Sequence, residues 1–160
     1  MSDPAISIER ADLLAETSRA LILALNRELA EMYPQAGANH FELDSEEVAP
    51  GRGGFFVARR GGAPVGCGAL RKLDAETAEL KRMYVAPAAR GTGLGRRLVE
   101  TLEAEARALG VRRLVLETGT LQHAALALYR NVGFAPIPLF GEYRLSPDTS
   151  VCLGKELDAR

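Results

Sequence analysis

The sequence predicts one mixed α/β domain, of the α+β kind, in which a mostly antiparallel sheet contains a single parallel strand pair and is flanked by helices. Three observations carry this. At 160 residues, 47% hydrophobic and 26% charged, the chain has the size and composition of an ordinary globular domain with a substantial core. It shows no internal repeat, so 1–160 is read as one domain. Three strand-like segments follow one another across short links, which favours an antiparallel meander. In the middle of the chain a strand, a helix and a strand succeed one another, and such a crossover makes two strands parallel.

Taken in order, "AISIER" alternates apolar and polar residues and reads as a strand. From Asp12 the period changes: Leu14, Ser18, Leu21, Leu25 and Met32, with Ile22 and Leu29 beside them, outline an amphipathic helix limited by Pro34. Gln35 to Gly54 is a long turn-rich connection with one helical turn expected around Ser45 to Val48, and loops of that length are often functional. "FFVARR", "PVGCGALRKL" and "TAELKRMYV" form the meander, punctuated by Gly61-Gly62 and by Asp74-Ala75-Glu76. Pro87 stops the third strand, and a glycine loop opens a helix with the apolar stripe Leu94, Leu98, Leu102, Ala106 and Leu109. Arg96–Glu100 and Glu103–Arg107 are expected as charge pairs on its exposed side, and Gly110 as its C-terminal cap. A buried strand "RRLVLET", a helix from Gln122 to Asn131, the segment "FAPIP", an irregular "LFGEYRLSPDTS" and a last strand "VCLGKEL" complete the order β-α-β-β-β-α-β-α-β-β.

Composition removes several classes of function. Lys and Arg total 20 against 21 Asp and Glu, a formal net charge of −1, which argues against a nucleic-acid partner held by phosphate contacts. Cys67 and Cys152 lack metal-ligand spacing and sit in apolar runs, so they read as core thiols; with only His40 and His123 besides, no metal site is expected. "MSDPAISIER" has no basic stretch leading into an apolar one, and "ALILAL" is too short to span a bilayer. A cytoplasmic protein with no membrane partner is expected.

The stretch "VAPAARGTGLGRRLVE" places Gly91, Gly93 and Gly95 where a helix has to start. A helix N-terminus presents unpartnered amides and partial positive charge, and glycines let an anion approach them without a Cβ in the way. Arg90, Arg96 and Arg97 flank the loop. Such a loop is either a phosphate cradle or a glycine turn before an ordinary helix. The dinucleotide fingerprint fails, because the sixth position counted from Gly91 is Arg96 and from Gly93 is Leu98. A Walker A ending is missing as well.

Arg90-Gly91-Thr92-Gly93-Leu94-Gly95 resembles the R/Q-x-x-G-x-G/A motif of the GCN5-related N-acetyltransferases, the GNAT superfamily. "AELKRMYVAP" is similar to the strand before that loop, and "AALALYRNVGF" to the family's A-x-x-L-Y…G-F helix. The element order agrees from Ile6 to Leu157. "ELKRMYV", "LETG" and "FGEY" together look like a branch of small bacterial GNAT acetyltransferases.

The resemblance implies a GNAT fold with a splayed parallel pair, and acetyl-CoA as acetyl donor in the gap between "TAELKRMYV" and "RRLVLET". Its pyrophosphate would meet the amides of Arg90, Gly91, Thr92, Gly93, Leu94, Gly95 and Arg96, and its pantetheine arm the backbone of Met83, Tyr84 and Val85. The amide of Val85 would polarise the thioester carbonyl. Tyr129 matches the tyrosine that protonates the leaving thiolate, although a helix tyrosine also packs. For the base, Glu79 and Glu117 stand as rivals, each also readable as a salt-bridged carboxylate. Gln122 stands where the family often has an Asn that touches the cofactor. Tyr33, Phe41, Phe140 and Tyr143 would wall the acceptor site, with Glu117, Arg82 or Arg144 reading polar ends. The leading expectation is an N-acetyltransferase acting on a small-molecule amine, in a ternary complex; a protein or peptide N-terminus as acceptor, and a non-catalytic acyl-CoA-binding domain, are the alternatives. A homodimer through the C-terminal strands is also implied.

Overall fold

The computed structural model describes residues 5–34 and 43–157. It contains β1 (Ile6–Arg10), α1 (Glu16–Met32), β2 (Gly53–Arg60), β3 (Ala63–Lys72), β4 (Thr77–Val85), α2 (Leu94–Ala108), β5 (Arg113–Gly119), α3 (His123–Asn131), β6 (Ala135–Pro136) and β7 (Ser150–Glu156). Short 3-10 helices span Ser45–Val48, Pro87–Ala89 and Gly141–Leu145. The seven strands form one sheet in the order β1-β2-β3-β4-β5-β7-β6. Every neighbouring pair is antiparallel except β4 and β5, as the helix between them requires.

The sheet buries both faces. On one, Leu98's neighbours Val99, Leu102 and Ala106 of α2 pack with Leu70, Leu80, Leu114, Leu116 and Leu153. On the other, Leu21 and Leu25 of α1 pack on Phe55, Val57, Cys67, Ala69 and Tyr84. Alternation sends Leu70 of β3 one way and Ala69 the other, whereas Leu80 and Tyr84 of β4, four residues apart, reach opposite clusters because a bulge between them shifts the register. Both cysteines are buried, free thiols.

Three details differ from expectation. Helix α1 begins at Glu16, because Asp12 is spent on a turn: its side chain accepts the Leu14 amide at 2.9 Å and its carbonyl the Ser18 hydroxyl at 2.6 Å. Leu14 therefore precedes the helix and is 64% exposed, and Met32, its last residue, is 37% exposed. The Glu103–Arg107 pair forms at 3.9 Å, but Glu103 is buried because β7 brings Lys155 across to it at 2.6 Å. Arg96 reaches the Asn131 carbonyl at 3.5 Å, so its contact is with α3 where Glu100 had been expected.

Helices α2 and α3 stop by the same device. Gly110 (φ 78°) and Gly133 (φ 102°) adopt the left-handed conformation just past each helix. Val111 then donates to the Ala106 carbonyl and Phe134 to the Tyr129 carbonyl, both at 2.9 Å. These are Schellman closures, with glycine relieving the Cβ penalty of the left-handed residue. The second fixes Tyr129, whose ring meets Phe134 edge-on with centroids 5.8 Å apart.

Gly110 has open space where a Cβ would go, so Gly110→Ala isolates the conformational term. It should lower unfolding free energy by about 1–2 kcal/mol. Urea denaturation should show this as an earlier midpoint with an unchanged slope.

Candidate active site

The chemistry of the sheet changes where β4 and β5 part. They pair only over Thr77–Arg113 to Leu80–Leu116. Beyond that point β4 continues to Val85 against β3 alone, and β5 continues to Gly119 against β7 alone. A cleft opens between them, lined by Leu80, Lys81, Arg82 and Met83 from β4, Glu117, Thr118 and Gly119 from β5, and Gln122 and Tyr129 from α3. Helix α1 contributes Leu25, Asn26, Leu29 and Tyr33, and the C-terminal segment Tyr143 and Thr149. The amide of Ala86 donates to Val65 at 2.8 Å, so ladder parity turns the amide of Val85, one residue earlier, away from β3 and toward the open side.

The glycine loop sits before α2. Gly91 (φ 77°) and Gly93 (φ 83°) need the left-handed region, and nothing lies within 4 Å of where their Cβ atoms would be. Gly95 serves a different purpose: a Cβ there would sit 2.9 Å from Leu128 Cδ2, so its smallness seats α2 against α3. No side chain caps the helix, and among the described residues no acceptor takes the amides of Gly91 to Arg96. The amide of Arg90, expected to join them, instead donates to the Pro87 carbonyl at 3.3 Å, because the 3-10 turn closes on it. The Arg90 guanidinium is also committed, to the Val85 carbonyl at 2.9 Å and to Glu28 of α1 at 2.6 Å. Thr92 spends its hydroxyl on the Ala89 carbonyl at 2.5 Å. Leu94 is core and contributes only its backbone to the loop.

Expected site residues separate into two groups. Tyr33, Arg82, Met83, Glu117, Gln122, Tyr129 and Tyr143 meet at the cleft. Tyr84 turns its ring into the α1 side of the core. Glu79 departs from the expectation of a base facing the acceptor: it is fully buried and absent from the cleft wall. Its carboxylate receives Arg71 at 2.8 Å and the Tyr143 hydroxyl at 2.5 Å. Phe140 also lies off the wall and packs edge-on against Tyr143, centroids 5.1 Å apart. Phe41 falls outside the described residues. Arg144 reaches the Leu139 carbonyl at 3.5 Å and is exposed.

Electrostatics distinguish the two carboxylates. Burial pushes the Glu117 carboxyl above its ordinary range, only partly opposed by the Ser150 hydroxyl, which donates to it at 2.7 Å. Burial likewise raises the Tyr129 phenol well above its usual value, assisted by the negative charge of Glu117. Burial and the carboxylate of Glu79 raise Tyr143 similarly. Both phenols therefore keep their protons at neutral pH.

Sequence reading missed Asn26, Lys81, Thr118, Gly119 and Thr149 on the wall. Asn26 was within reach, since it stands three residues before Leu29 and seven before Tyr33, on one helical face. Among the described residues no cluster of three metal-ligating side chains occurs, and no helix is long and apolar enough to cross a membrane.

Comparison with known proteins bears on this site. A family model described as the acetyltransferase (GNAT) family matches residues 19–134. The IAA acetyltransferase of Azospirillum brasilense is 46% identical over 146 residues, covering 90% of this chain and 94% of its own. A structure described as an acyl-CoA N-acyltransferase, from Klebsiella pneumoniae subsp. pneumoniae, superimposes with a TM-score of 0.81 at 32% identity, covering 96% of this chain and 98% of that one. A GNAT family acetyltransferase from Elizabethkingia anophelis, solved with acetyl-CoA bound, shares the fold with a TM-score of 0.69 at 21% identity over 95% and 98% of the two chains.

The cleft wall is tightly fitted at Gly119, where an added Cβ would lie 1.9 Å from the Tyr33 hydroxyl. That hydroxyl accepts the Leu121 amide at 2.8 Å. Gly119→Ala should displace Tyr33, break this bond and cost about 1–3 kcal/mol by overpacking. Replacing Tyr33 with Phe in the same background should restore part of the loss in thermal unfolding, because the nearest clashing atom is removed while the ring carbons Cζ and Cε2, at 2.5 and 2.9 Å, still have to shift.

Proposed function

The chain belongs to the GNAT acetyltransferase family and is an acyltransferase, and on that premise we propose that it transfers the acetyl group of acetyl-CoA to the primary amine of a small molecule. The observation that carries the reading is the convergence, at one parting of two strands, of an outward-turned Val85 amide, the phenol of Tyr129 and the carboxyl of Glu117.

The residues present fit acetyl-CoA. Among the described residues no acceptor takes amides 91–96, and the positions a Cβ would take at Gly91 and Gly93 are open. An uncapped helix start of this kind suits a diphosphate. Residues 91–96 would hold that group, and β4 beyond Leu80 offers an unpaired strand edge to the pantetheine arm. When bound, acetyl-CoA supplies the activated acetyl thioester.

The chain's own groups then have defined tasks. The Val85 amide orients the carbonyl to be attacked, and a backbone donor gains strength where water is excluded. Glu117 takes a proton from the acceptor nitrogen, directly or across one water; its raised pKa brings its basicity toward the range that proton transfer at neutral pH favours. Tyr129 keeps its phenolic proton until it is delivered to the departing sulfur. Arg71 and Glu79 act from behind, by fixing the Tyr143 hydroxyl and with it one wall. Tyr33 and Tyr143 both line the cleft and would bound the acceptor space, which suits a compact amine.

Thiol release from acetyl-CoA across amino acids, polyamines and peptide N-termini tests the proposal, with turnover expected for small amines. If peptides alone are acetylated, the small-molecule reading falls; if CoA binds tightly and no acceptor raises turnover, the enzymatic reading does. Tyr129→Phe should lower kcat by about 10²-fold while leaving acetyl-CoA affinity unchanged. Because Glu117 must be ionised to act and its pKa is raised, kcat/KM should climb with pH through a value above the ordinary carboxylate range. Glu117→Gln should remove that limb and lower the rate at its plateau.

A further inference from the structure

Behind Glu117 a chain of hydroxyls runs toward the surface. Glu117 of β5 stands opposite Cys152 of β7, and Ser150, two residues along β7, presents its side chain on the same face. The residue directly across from Ser150 is Gly119, so no side chain stands there and the Glu117 carboxylate can lean over to it. The Ser150 hydroxyl donates to Glu117 Oε2 at 2.7 Å, and its oxygen lies 2.8 Å from that of Ser146. A turn holds the two serines together: the Ser150 amide donates to the Ser146 carbonyl at 3.0 Å, and the Ser146 amide to the Tyr143 carbonyl at 3.1 Å. Ser150 is buried. Ser146 is half-buried, with Leu145 and Pro147 exposed on either side.

Each hydroxyl has one proton to donate. With Glu117 ionised, Ser150 gives its proton to the carboxylate, and Ser146 must give its own to Ser150. With Glu117 protonated the carboxyl becomes the donor. Ser150 then accepts from it and donates to Ser146, whose hydroxyl has the Tyr143 carbonyl 3.4 Å away. The chain therefore finds an acceptor at every link in either polarity. A serine that only filled space would need neither.

Resting on the role of Glu117 as base, we propose that Ser150 and Ser146 are positioning residues that carry the proton from Glu117 to solvent while the substrates fill the cleft. Glu117 is itself part of the cleft wall, so bound substrates would occupy that side of it and leave the serine side as the way out. Glu117 passes the proton taken from the acceptor nitrogen to Ser150 Oγ, Ser150 passes its own to Ser146 Oγ, and Ser146 passes its own to water or a buffer base. Three bonds to hydrogen break and three form, each serine is again neutral, and Glu117 is again a carboxylate. Rotation of the two hydroxyls resets the chain. The other titratable groups that face Glu117 are Glu79 and Lys81 of β4, Tyr129 of α3, Glu142 and Tyr143 before β7, and Cys152 of β7. All of them lie outside the serine chain and stay in place when a serine is replaced.

Ser146→Ala cuts the chain beyond Ser150, and in dilute buffer kcat should fall about 10-fold, a part of what loss of positioned proton transfer costs. Raising the concentration of a tertiary-amine buffer, which cannot itself be acetylated, should restore the rate, a response that a packing defect would not give. The KM for acetyl-CoA and the rising limb of the pH profile should stay where they are, because Ser150 still donates to Glu117. Ser150→Ala should be slowed and rescued in the same way, and its limb should move to higher pH, because the bond that favours the ionised carboxylate is gone. Ser150→Thr, which keeps the hydroxyl, should behave as the wild type. Alanine variants that match the wild type in dilute buffer overturn the proposal, and so does a loss that buffer fails to restore. If the wild type turns over no acceptor, the acetylation reading fails, and carbon-13 titration of the Glu117 carboxyl judges the chain. A midpoint raised in Ser150→Ala and returned in Ser150→Thr supports it; an unmoved midpoint overturns it.

Discussion

Two parallel strands that pair for four residues and then separate impose the constraint on which the rest of this molecule depends. Up to Leu80 and Leu116 the ladder is closed, with Ala78, Leu80, Leu114 and Leu116 packed into the apolar core on one face and Glu79 buried on the other. Past that point backbone donors on β4 have no strand to meet. Buried backbone groups without partners are costly, so the opening is stable only where solvent or a ligand can reach it. The parting therefore creates at one place both the space and the hydrogen-bonding demand of an active site. Elements that have no contact with each other in sequence, α1, α3 and the segment after β6, supply the remaining walls.

What keeps the gap from closing is local chemistry. The bulge at Arg82 alters the direction of β4 while Gly68 on β3 concedes the room. On the other side, Gly119 lets Tyr33 approach β5 at a distance no side chain would permit. Two Schellman closures and Lys155, which reaches both Glu103 and the Val132 carbonyl, lock α2 and α3 to β7. Tyr129 is thereby held at a fixed height over the gap. A polar chain, half-buried at Glu47 and Arg71 and buried at Glu79 and Tyr143, connects the 3-10 turn before β2 to the segment before β7. Removing one member would strand another in the interior, so the chain acts as one unit.

Much of this was legible in the residues because it rests on short-range rules. The period of α2, the glycines past its end and past α3, and the turn at Ser45 to Val48 all follow from patterns spanning fewer than a dozen positions. The Leu-Tyr…Gly-Phe segment is such a case: tyrosine three residues inside the helix end, glycine just past it and phenylalanine after that are what a Schellman closure with its hydrophobic contact needs. Sequence gives Gly91, Gly93 and Gly95 the same reading, whereas in the fold the first two are left-handed loop residues and Gly95 makes room for Leu128.

The sequence by itself determined the order of the elements, the antiparallel meander, the crossover that makes β4 and β5 parallel, and the glycine loop that opens α2. Each is dictated by local periodicity, turn chemistry or the steric freedom of glycine. Tertiary structure alone decided which carboxylate faces the cleft. Glu79 and Glu117 are both acidic residues on central strands, and nothing local separates them. Arg71, eight residues away across a hairpin, and Tyr143, 64 residues away, neutralise and bury the first. A serine hydroxyl, from Ser150, attends the second, and the side of a sheet on which such partners arrive is a property of the assembled strands.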